Sequence, residues 1–194
     1  MLKIGVILGS IREIRRGARV AKWLMGQLKQ YKDIDVELLD LRDYPLPFYN
    51  ENNSPEGLKG KYSNKIAKKW AAKIGEKDGF IFIVSEYNHG PTAVLKNALD
   101  WLYYEWNRKA VSFVSYATGL GAGIRAVEQL RGIAVELEMA PLQKAIHIGQ
   151  VLDILDEDGN VLKSHVNDRV ANMMQELLWW TKTLKAAREK TKND

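Results

Sequence analysis

Short apolar runs alternate with stretches of helical periodicity along this 194-residue chain. Five apolar runs have the length of strands and lie at 2–8, 35–39, 80–84, 111–114 and 145–148. After each run, apolar residues recur every three or four positions, which predicts five helices. This alternation predicts βαβ units, and the continuous apolar strands indicate that both sheet faces are covered. We predict an α/β fold with a five-stranded parallel sheet and helices on both faces, formed by residues 1–194 as a single domain.

Local signals refine three boundaries of these elements. The first helix is predicted from Gly17 to Lys29. Pro91 suits the first turn of the third helix, because its missing N–H costs nothing there. The pair Asp158-Gly159 lies between two short apolar segments and predicts a hairpin turn, so 151–155 is expected to be extended. The surrounding acidic residues superficially match a calcium loop, but its first and twelfth ligand positions are wrong, and no metal site is predicted.

The composition excludes several classes of protein. The chain has no cysteine, so disulfide scaffolds, thiol nucleophiles, iron–sulfur clusters and cysteine-rich zinc sites are excluded. Hydrophobic residues make up 46% and charged residues 27%, which are ordinary globular values. No apolar run approaches the roughly 18 residues of a membrane span, and the first residues lack a signal-peptide pattern. We therefore expect a cytoplasmic protein without a membrane partner.

The net charge of +5 raises the question of a nucleic-acid partner. Residues 181–194 contribute +3 of that charge, which leaves +2 for the rest of the chain. A basic helix C-terminus is usually a solvated face that complements the helix dipole. The sequence therefore predicts no nucleic-acid partner.

The segment after the first strand combines a hydroxyl group with three arginines. Ser10, Arg12, Arg15 and Arg16 lie between this strand and the helix that begins at Gly17. Free N–H groups at a helix N-terminus bind anions, and guanidinium groups suit phosphate. Neither the dinucleotide motif G-x-G-x-x-G nor a P-loop is present, which favours a terminal monophosphate. The alternative is a surface turn with solvated arginines.

A polar segment follows the third and most apolar strand. Here Tyr87 offers a ring for stacking, and Asn88 offers an amide for hydrogen bonds. His89 is either an acid or base or, more often for such a residue, a surface group at a helix entry. Glu86 is either paired or supports the loop. The fourth strand is followed by three glycines between 119 and 123, which permit close approach to a ring or phosphate but miss the dinucleotide spacing.

A second face of the third helix carries Asn97, Asp100, Trp101 and Tyr104. A helix with apolar or aromatic residues on two sides indicates a subunit contact. The alternative is that Trp101 packs within its own chain.

These segments together resemble a known family. From Ile4 to about Leu162 the chain is similar to the flavodoxin-like NAD(P)H-dependent FMN reductases, the small FMN, quinone, chromate and azo-dye reductases. Three motifs carry the resemblance. The first is Gly9-Ser10-Ile11-Arg12 with Arg16-Gly17. The second is Glu86-Tyr87-Asn88 with Leu95-Lys96-Asn97-Ala98 and Asp100-Trp101, and the third is Ser115-Tyr116 with the following glycines and Arg125-Ala126. One departure is Ser85, where the family usually has proline before Glu-Tyr-Asn.

The resemblance implies a cofactor site. Its phosphate would be held by Ser10, Arg12, Arg16 and Gly17, and Arg15 is added on charge alone. The isoalloxazine ring would be surrounded by Glu86, Tyr87, Asn88, Gly90 and Ser115, several of them through backbone atoms. Members of the family are commonly dimers or tetramers, so a homodimer or homotetramer is expected.

The resemblance also implies the reaction. The expected enzyme takes hydride from NADPH or NADH onto FMN and reduces a small-molecule electron acceptor, a quinone, flavin or azo compound, in a ping-pong cycle. The flavin carries the chemistry, so no catalytic side chain is predicted. The alternatives are a flavodoxin-type electron carrier, which the basic charge disfavours, and a flavin-free regulatory or scaffold protein of the same fold.

Overall fold

A computed structural model describes residues 1–191; Lys192 and Asp194 of the basic C-terminus therefore lie outside the described residues. The strands are β1 (Leu2–Leu8), β2 (Ile34–Asp40), β3 (Gly79–Tyr87), β4 (Gly90–Pro91), β5 (Ala110–Tyr116), β6 (Ala140–Pro141) and β7 (Ile146–Ile148). The helices are α1 (Gly17–Leu28), α2 (Lys65–Gly75), α3 (Ala93–Asp100), α4 (Ile124–Glu136), α5 (Val151–Ile154) and α6 (Asp168–Thr191). Two short 3-10 helices lie at Leu41–Asp43 and Ser164–Val166.

The sheet is parallel, in the order β2-β1-β3-β5, with β6 and β7 both pairing with the outer side of β5. This is the flavodoxin-like order, and it confirms the predicted fold class. The predicted count of five strands is wrong by two. The outer strand is divided into β6 and β7, and between them the Ser112 hydroxyl donates to the Lys144 carbonyl at 2.7 Å. The second addition is β4, which folds back antiparallel on β3.

Alternating side chains of the strands enter two separate cores. One core joins the sheet to α2, α3 and α4 and contains the buried Trp70 and Trp106. The other joins the opposite face to α1 and α6 and contains Leu24 and Leu177. Along β3, Phe82 lies in the first core and Ile83 in the second, as the two-residue repeat of a strand requires. Both faces are thus covered, as the apolar strands predicted.

Two predictions, the start of the third helix and the extended segment at 151–155, differ from the structure. Pro91 is not in a helix, because it pairs with Glu86 in the β3–β4 hairpin. Helix α3 begins after Thr92, whose hydroxyl accepts from the Leu95 N–H. The predicted strand at 151–155 is instead the short helix α5 followed by a single bridge from Leu155 to Val161.

The carboxyl ends of β1 and β3 lie side by side at the point where the strand order reverses. In open α/β sheets this switch point is where ligands bind. The two segments that leave it are 9–16, which leads into α1, and 88–89, which leads into β4. Within residues 1–191 no helix has both the length and the apolar character needed to span a membrane.

Candidate functional site

The loop that joins β1 to α1 is held by two side chains from the end of β2. Arg15 forms an ion pair with Asp40 and also donates to the Ser10 carbonyl at 2.7 Å. Burial opposes ionisation of Asp40, but hydrogen bonds from Arg15 and the Arg42 N–H outweigh it and hold the pKa of this carboxyl below its usual range. Arg42 donates to the Arg12 carbonyl and, at 2.9 Å, to that of Glu13. The loop is therefore held by contacts within the chain itself.

The N-terminus of α1 packs directly on Tyr116 at the end of β5. A Cβ atom on Gly17 would lie 2.6 Å from the Tyr116 hydroxyl and 2.9 Å from Leu8 Cδ1, so only glycine fits there. Burial raises the pKa of the Tyr116 phenol, although hydrogen bonds with Ser85 and the Gly17 N–H act against this. Ser85, the residue that replaces the family's usual proline, lies opposite Tyr116 on the neighbouring strand.

The segment after β3 is a tight two-residue hairpin. Its central residues Asn88 and His89 both have positive φ, 50° and 67°, as a type I′ turn requires. The Gln129 side-chain amide donates to the His89 carbonyl at 2.9 Å and ties the turn to α4. His89 is exposed at the turn, and its backbone carries the observed contact.

Glu86 has a structural partner at the start of α4. Its carboxylate accepts from the backbone N–H groups of Arg125 and Ala126 at 3.1 and 3.3 Å. The Arg125 guanidinium group completes the contact at 3.0 Å. The N-cap residue Gly123 has no side chain to accept these bonds, so Glu86 caps the helix in its place. The side chain thereby fixes the distance between the β3–β4 hairpin and α4.

Ser115 is fully buried behind the site. Its hydroxyl oxygen lies 2.6 Å from the Ala122 carbonyl and 2.7 Å from Nδ1 of His147. Burial, followed by the positive charges of Arg131 and Arg169, lowers the pKa of His147 below its usual value. The side chains of Ser115 and His147 thus support the loop after β5 from beneath.

Two adjoining cavities open at the switch point. The smaller, of about 190 Å³, is polar and is lined by Ser10, Arg12, Arg15, Arg16, Ser85, Glu86, Tyr87, Tyr116, Ala117 and Thr118. The larger, of about 380 Å³, is mostly apolar and is lined by Ser10, Ile11, Arg12, Leu46, Phe48, Tyr87, Thr92, Ala93, Val94 and Asn97. Ser10, Arg12 and Tyr87 line both cavities. Neither the Arg12 nor the Arg16 side chain forms an ion pair with another of residues 1–191.

The structure brings together six of the ten predicted site residues around these cavities. They are Ser10, Arg12, Arg15, Arg16, Glu86 and Tyr87. The other four, Gly17, Asn88, Gly90 and Ser115, are absent from the cavity linings. Arg15, which was added on charge alone, is already committed to Asp40, although its buried Nε has no protein partner.

Sequence reasoning missed one complete wall of the apolar cavity. Leu46 and Phe48 come from the loop after β2, and Thr92 and Val94 come from the start of α3. For Leu46 and Phe48 the signal in the sequence was the pair of prolines Pro45 and Pro47. These prolines indicate a stiff loop but do not show which part of the fold the loop packs against. Their contribution depends on β1 lying between β2 and β3 in the sheet.

The predicted subunit face of α3 is largely internal. Trp101 is 1% exposed and its indole N–H donates to the Pro47 carbonyl at 2.7 Å. Asn97 is 8% exposed and bonds the same loop. The helix ends at Asp100, so Tyr104, which is half exposed, does not continue its face. The alternative in which Trp101 packs within its own chain is the one the structure supports.

Comparison with known proteins identifies the class. Residues 2–153 match the family described as NADPH-dependent FMN reductase. An NAD(P)H-dependent FMN reductase of Schizosaccharomyces pombe is 40% identical over 146 residues, covering 74% of this chain and 72% of the relative. An NAD(P)H:quinone oxidoreductase of Solanum tuberosum is 32% identical over 151 residues, covering 74% and 73%. The chain therefore belongs to the NADPH-dependent FMN reductase family.

A solved structure shows the same fold. The flavoenzyme NAD(P)H:(acceptor) oxidoreductase from Paracoccus denitrificans aligns with a TM-score of 0.78, covering 94% of this chain and 98% of that one at 19% identity. The family confirms the prediction of an oxidoreductase that uses FMN with NADH or NADPH.

The residues present fit that cofactor. A phosphorylated polyol needs hydroxyl and cationic donors, and the polar cavity supplies Ser10, Thr118, Arg12 and Arg16. A flat ring system needs an apolar slot beside them, and the larger cavity provides one. The shared residue Tyr87 stands where the two environments meet.

Proposed function

We propose that this chain reduces quinone, flavin or azo-type acceptors with hydride from NADPH or NADH, and that residues 1–194 act as one FMN-binding domain. The observation that carries the proposal is the pair of cavities at the switch point, one polar with free arginines and one apolar. The likeness to a quinone oxidoreductase supports a quinone as one acceptor. We include in the proposal a cytoplasmic location and a homodimer or homotetramer.

Each group of residues has a separate task in this proposal. Arg12, Arg16 and Ser10 hold the phosphate, and Arg15 keeps the loop in place through Asp40. Tyr87 flanks the ring, whereas Glu86 fixes its loop by capping α4. When bound, FMN supplies the reversible two-electron chemistry by accepting hydride and passing electrons on. The protein orients the partners, and no side chain is assigned a proton.

The size of the apolar cavity favours a ping-pong cycle. One open cavity of about 380 Å³ has to hold the flavin ring and also receive the nicotinamide ring and the acceptor beside it. Two planar substrates that compete for one cavity bind in turn, so the oxidised nicotinamide leaves before the acceptor enters. Initial rates then give parallel double-reciprocal lines.

The experiment uses the purified chain loaded with FMN. Under anaerobic conditions, NADPH or NADH should bleach the flavin absorbance, and addition of a quinone should restore it. Initial-rate measurements at several quinone concentrations should give parallel lines, and light scattering on the same sample gives the oligomeric state. Failure to retain FMN would overturn the proposal, as would flavin that neither nicotinamide bleaches. Intersecting lines would contradict the ping-pong order alone.

A further inference from the structure

Phe48 is an exposed aromatic side chain at the edge of the apolar cavity. It is 77% exposed, and it lines the cavity together with Leu46, Val94 and Tyr87. An aromatic ring is a large apolar surface whose burial is favourable. The Phe48 ring is exposed to water beside an open apolar cavity. Its burial by a ligand in that cavity is therefore favourable.

The backbone on both sides of Phe48 is held by the side chains of two buried residues. These are Asn97 in α3 and Trp101, which follows the end of α3. Before it, the Pro47 carbonyl accepts from Asn97 Nδ2 at 2.9 Å and from Trp101 Nε1 at 2.7 Å. After it, the Tyr49 N–H donates to Asn97 Oδ1 at 3.1 Å. The rings of Tyr49 and Trp101 also meet edge to face, with centroids 5.0 Å apart.

These contacts form a clamp, the Asn97–Trp101 clamp. Both clamp residues are buried in the chain itself, and their hydrogen bonds to the loop are partly buried. Neither residue reaches outward for a partner subunit. Their polar groups form hydrogen bonds with the backbone of Pro47 and Tyr49, the two neighbours of Phe48. The Phe48 ring itself is not part of these contacts and projects from a rigid segment.

We propose that Phe48 is a specificity-determining residue, whose ring forms a ready-made wall against which a planar apolar electron acceptor packs, and that the Asn97–Trp101 clamp positions this wall. The inference rests on the proposed function and refines its acceptor class. The other lining side chains near it, Leu46, Val94, Ala93 and Ile11, are apolar. The site should therefore prefer an uncharged fused-ring quinone to a hydrophilic acceptor.

The clamp makes the segment around Phe48 rigid. A flexible loop would have to be ordered when the acceptor binds, at a cost in conformational entropy. Hydrogen bonds from Asn97 and Trp101 remove the backbone part of that cost in advance. The clamp residues are thus positioning residues, because they act through Phe48 and not through the acceptor.

The test compares two acceptors on the FMN-loaded protein at saturating NADPH. The apolar probe is 2-methyl-1,4-naphthoquinone, and the hydrophilic probe is ferricyanide. Phe48→Ala should raise the KM for the naphthoquinone about tenfold with little change in kcat, since roughly 1.4 kcal/mol of ring packing is a factor of ten. The KM for ferricyanide and the Kd for FMN should stay within about twofold. Binding of the naphthoquinone without NADPH, followed by tryptophan fluorescence, should weaken by the same factor.

A double-mutant cycle tests the clamp. Trp101→Phe keeps the aromatic body but removes the N–H that Pro47 accepts, and it should raise the naphthoquinone KM about threefold. In the double variant with Phe48→Ala the KM should equal that of Phe48→Ala alone, because the clamp then has no ring to position. The control is Trp179→Ala, which removes a 61% exposed ring remote from both cavities and should change neither KM.

Each other result overturns a defined part of the inference. Equal changes in KM for both acceptors, or none for the naphthoquinone, would show that Phe48 does not select the acceptor. Loss of FMN affinity in Phe48→Ala would assign its ring to the cofactor, and a change in mass by light scattering would assign it to a subunit contact. Additive effects in the double variant would refute the clamp. Wild-type protein that fails to reduce even ferricyanide would instead refute the proposed function.

Discussion

Replacement of Arg12 by alanine tests whether the loop after β1 holds the flavin phosphate. Arg12 lines both cavities and its side chain is exposed, without an ion pair among residues 1–191. Arg12→Ala therefore leaves no protein group without its partner. The backbone bond from Arg42 to the Arg12 carbonyl is retained, because it does not involve the side chain.

The magnitude follows from the charge on the ligand. A phosphate monoester carries roughly −1.5 to −2 at pH 7. A hydrogen bond to a charged group contributes about 1.5–3 kcal/mol, which corresponds to roughly a 10- to 150-fold weaker Kd for FMN. Riboflavin lacks the phosphate, so its Kd should change by less than about twofold. The free energy of unfolding of the apo protein should be unchanged within about 0.5 kcal/mol, as for other surface substitutions.

Flavin fluorescence quenching measures both affinities, and denaturant unfolding checks the fold. Lys68→Ala is the matched control, since it removes one positive charge from the exposed face of α2, outside both cavity linings. Its effect on FMN should be small, because exposed charges beyond a Debye length of about 8 Å are screened at physiological salt. Equal losses for FMN and riboflavin would show that Arg12 does not contact the phosphate. No loss for either would place the anion site elsewhere.

Two further predictions concern the support of the site. Gly17→Ala should destabilise the protein by about 1–3 kcal/mol in denaturant unfolding, because its Cβ would lie 2.6 Å from the Tyr116 hydroxyl. Gly26→Ala in the same helix has no atom within 4 Å and should stabilise instead, by up to about 1 kcal/mol; similar losses at both sites would contradict the packing argument. Burial and nearby arginines lower the pKa of His147, so the unfolded chain binds a proton first and stability should fall as the pH drops below 6.5. His147→Asn should reduce the difference in the free energy of unfolding between pH 7.5 and pH 5.5. His89→Asn, at an exposed position, should leave that difference unchanged.

The order and type of the main elements were determined by the sequence. Continuous apolar strands such as 80–84 can only be satisfied between two covered faces, and the helical repeats between them force parallel crossovers. The first helix, predicted from Gly17 to Lys29, begins at the same residue as α1 and extends one residue beyond its end. Because strand ends and helix starts carry free polar groups, the loops after β1 and β3 were also identifiable as a candidate site, and Arg12, Arg16 and Tyr87 do line its cavities.

The separate roles of the side chains follow only from the tertiary contacts. In the sequence, Arg15 cannot be distinguished from Arg12 and Arg16. In the structure, its guanidinium group is paired with Asp40, which lies 25 positions away at the end of β2. Asn97 and Trp101 looked like a subunit face, but the chain folds the segment around Phe48 onto them. Such contacts join positions about 50 residues apart, and no periodicity encodes them. Local sequence patterns predict the secondary structure of a segment and the face that it buries. The partner of a side chain on another strand or loop is determined only when the strand order brings the two segments together.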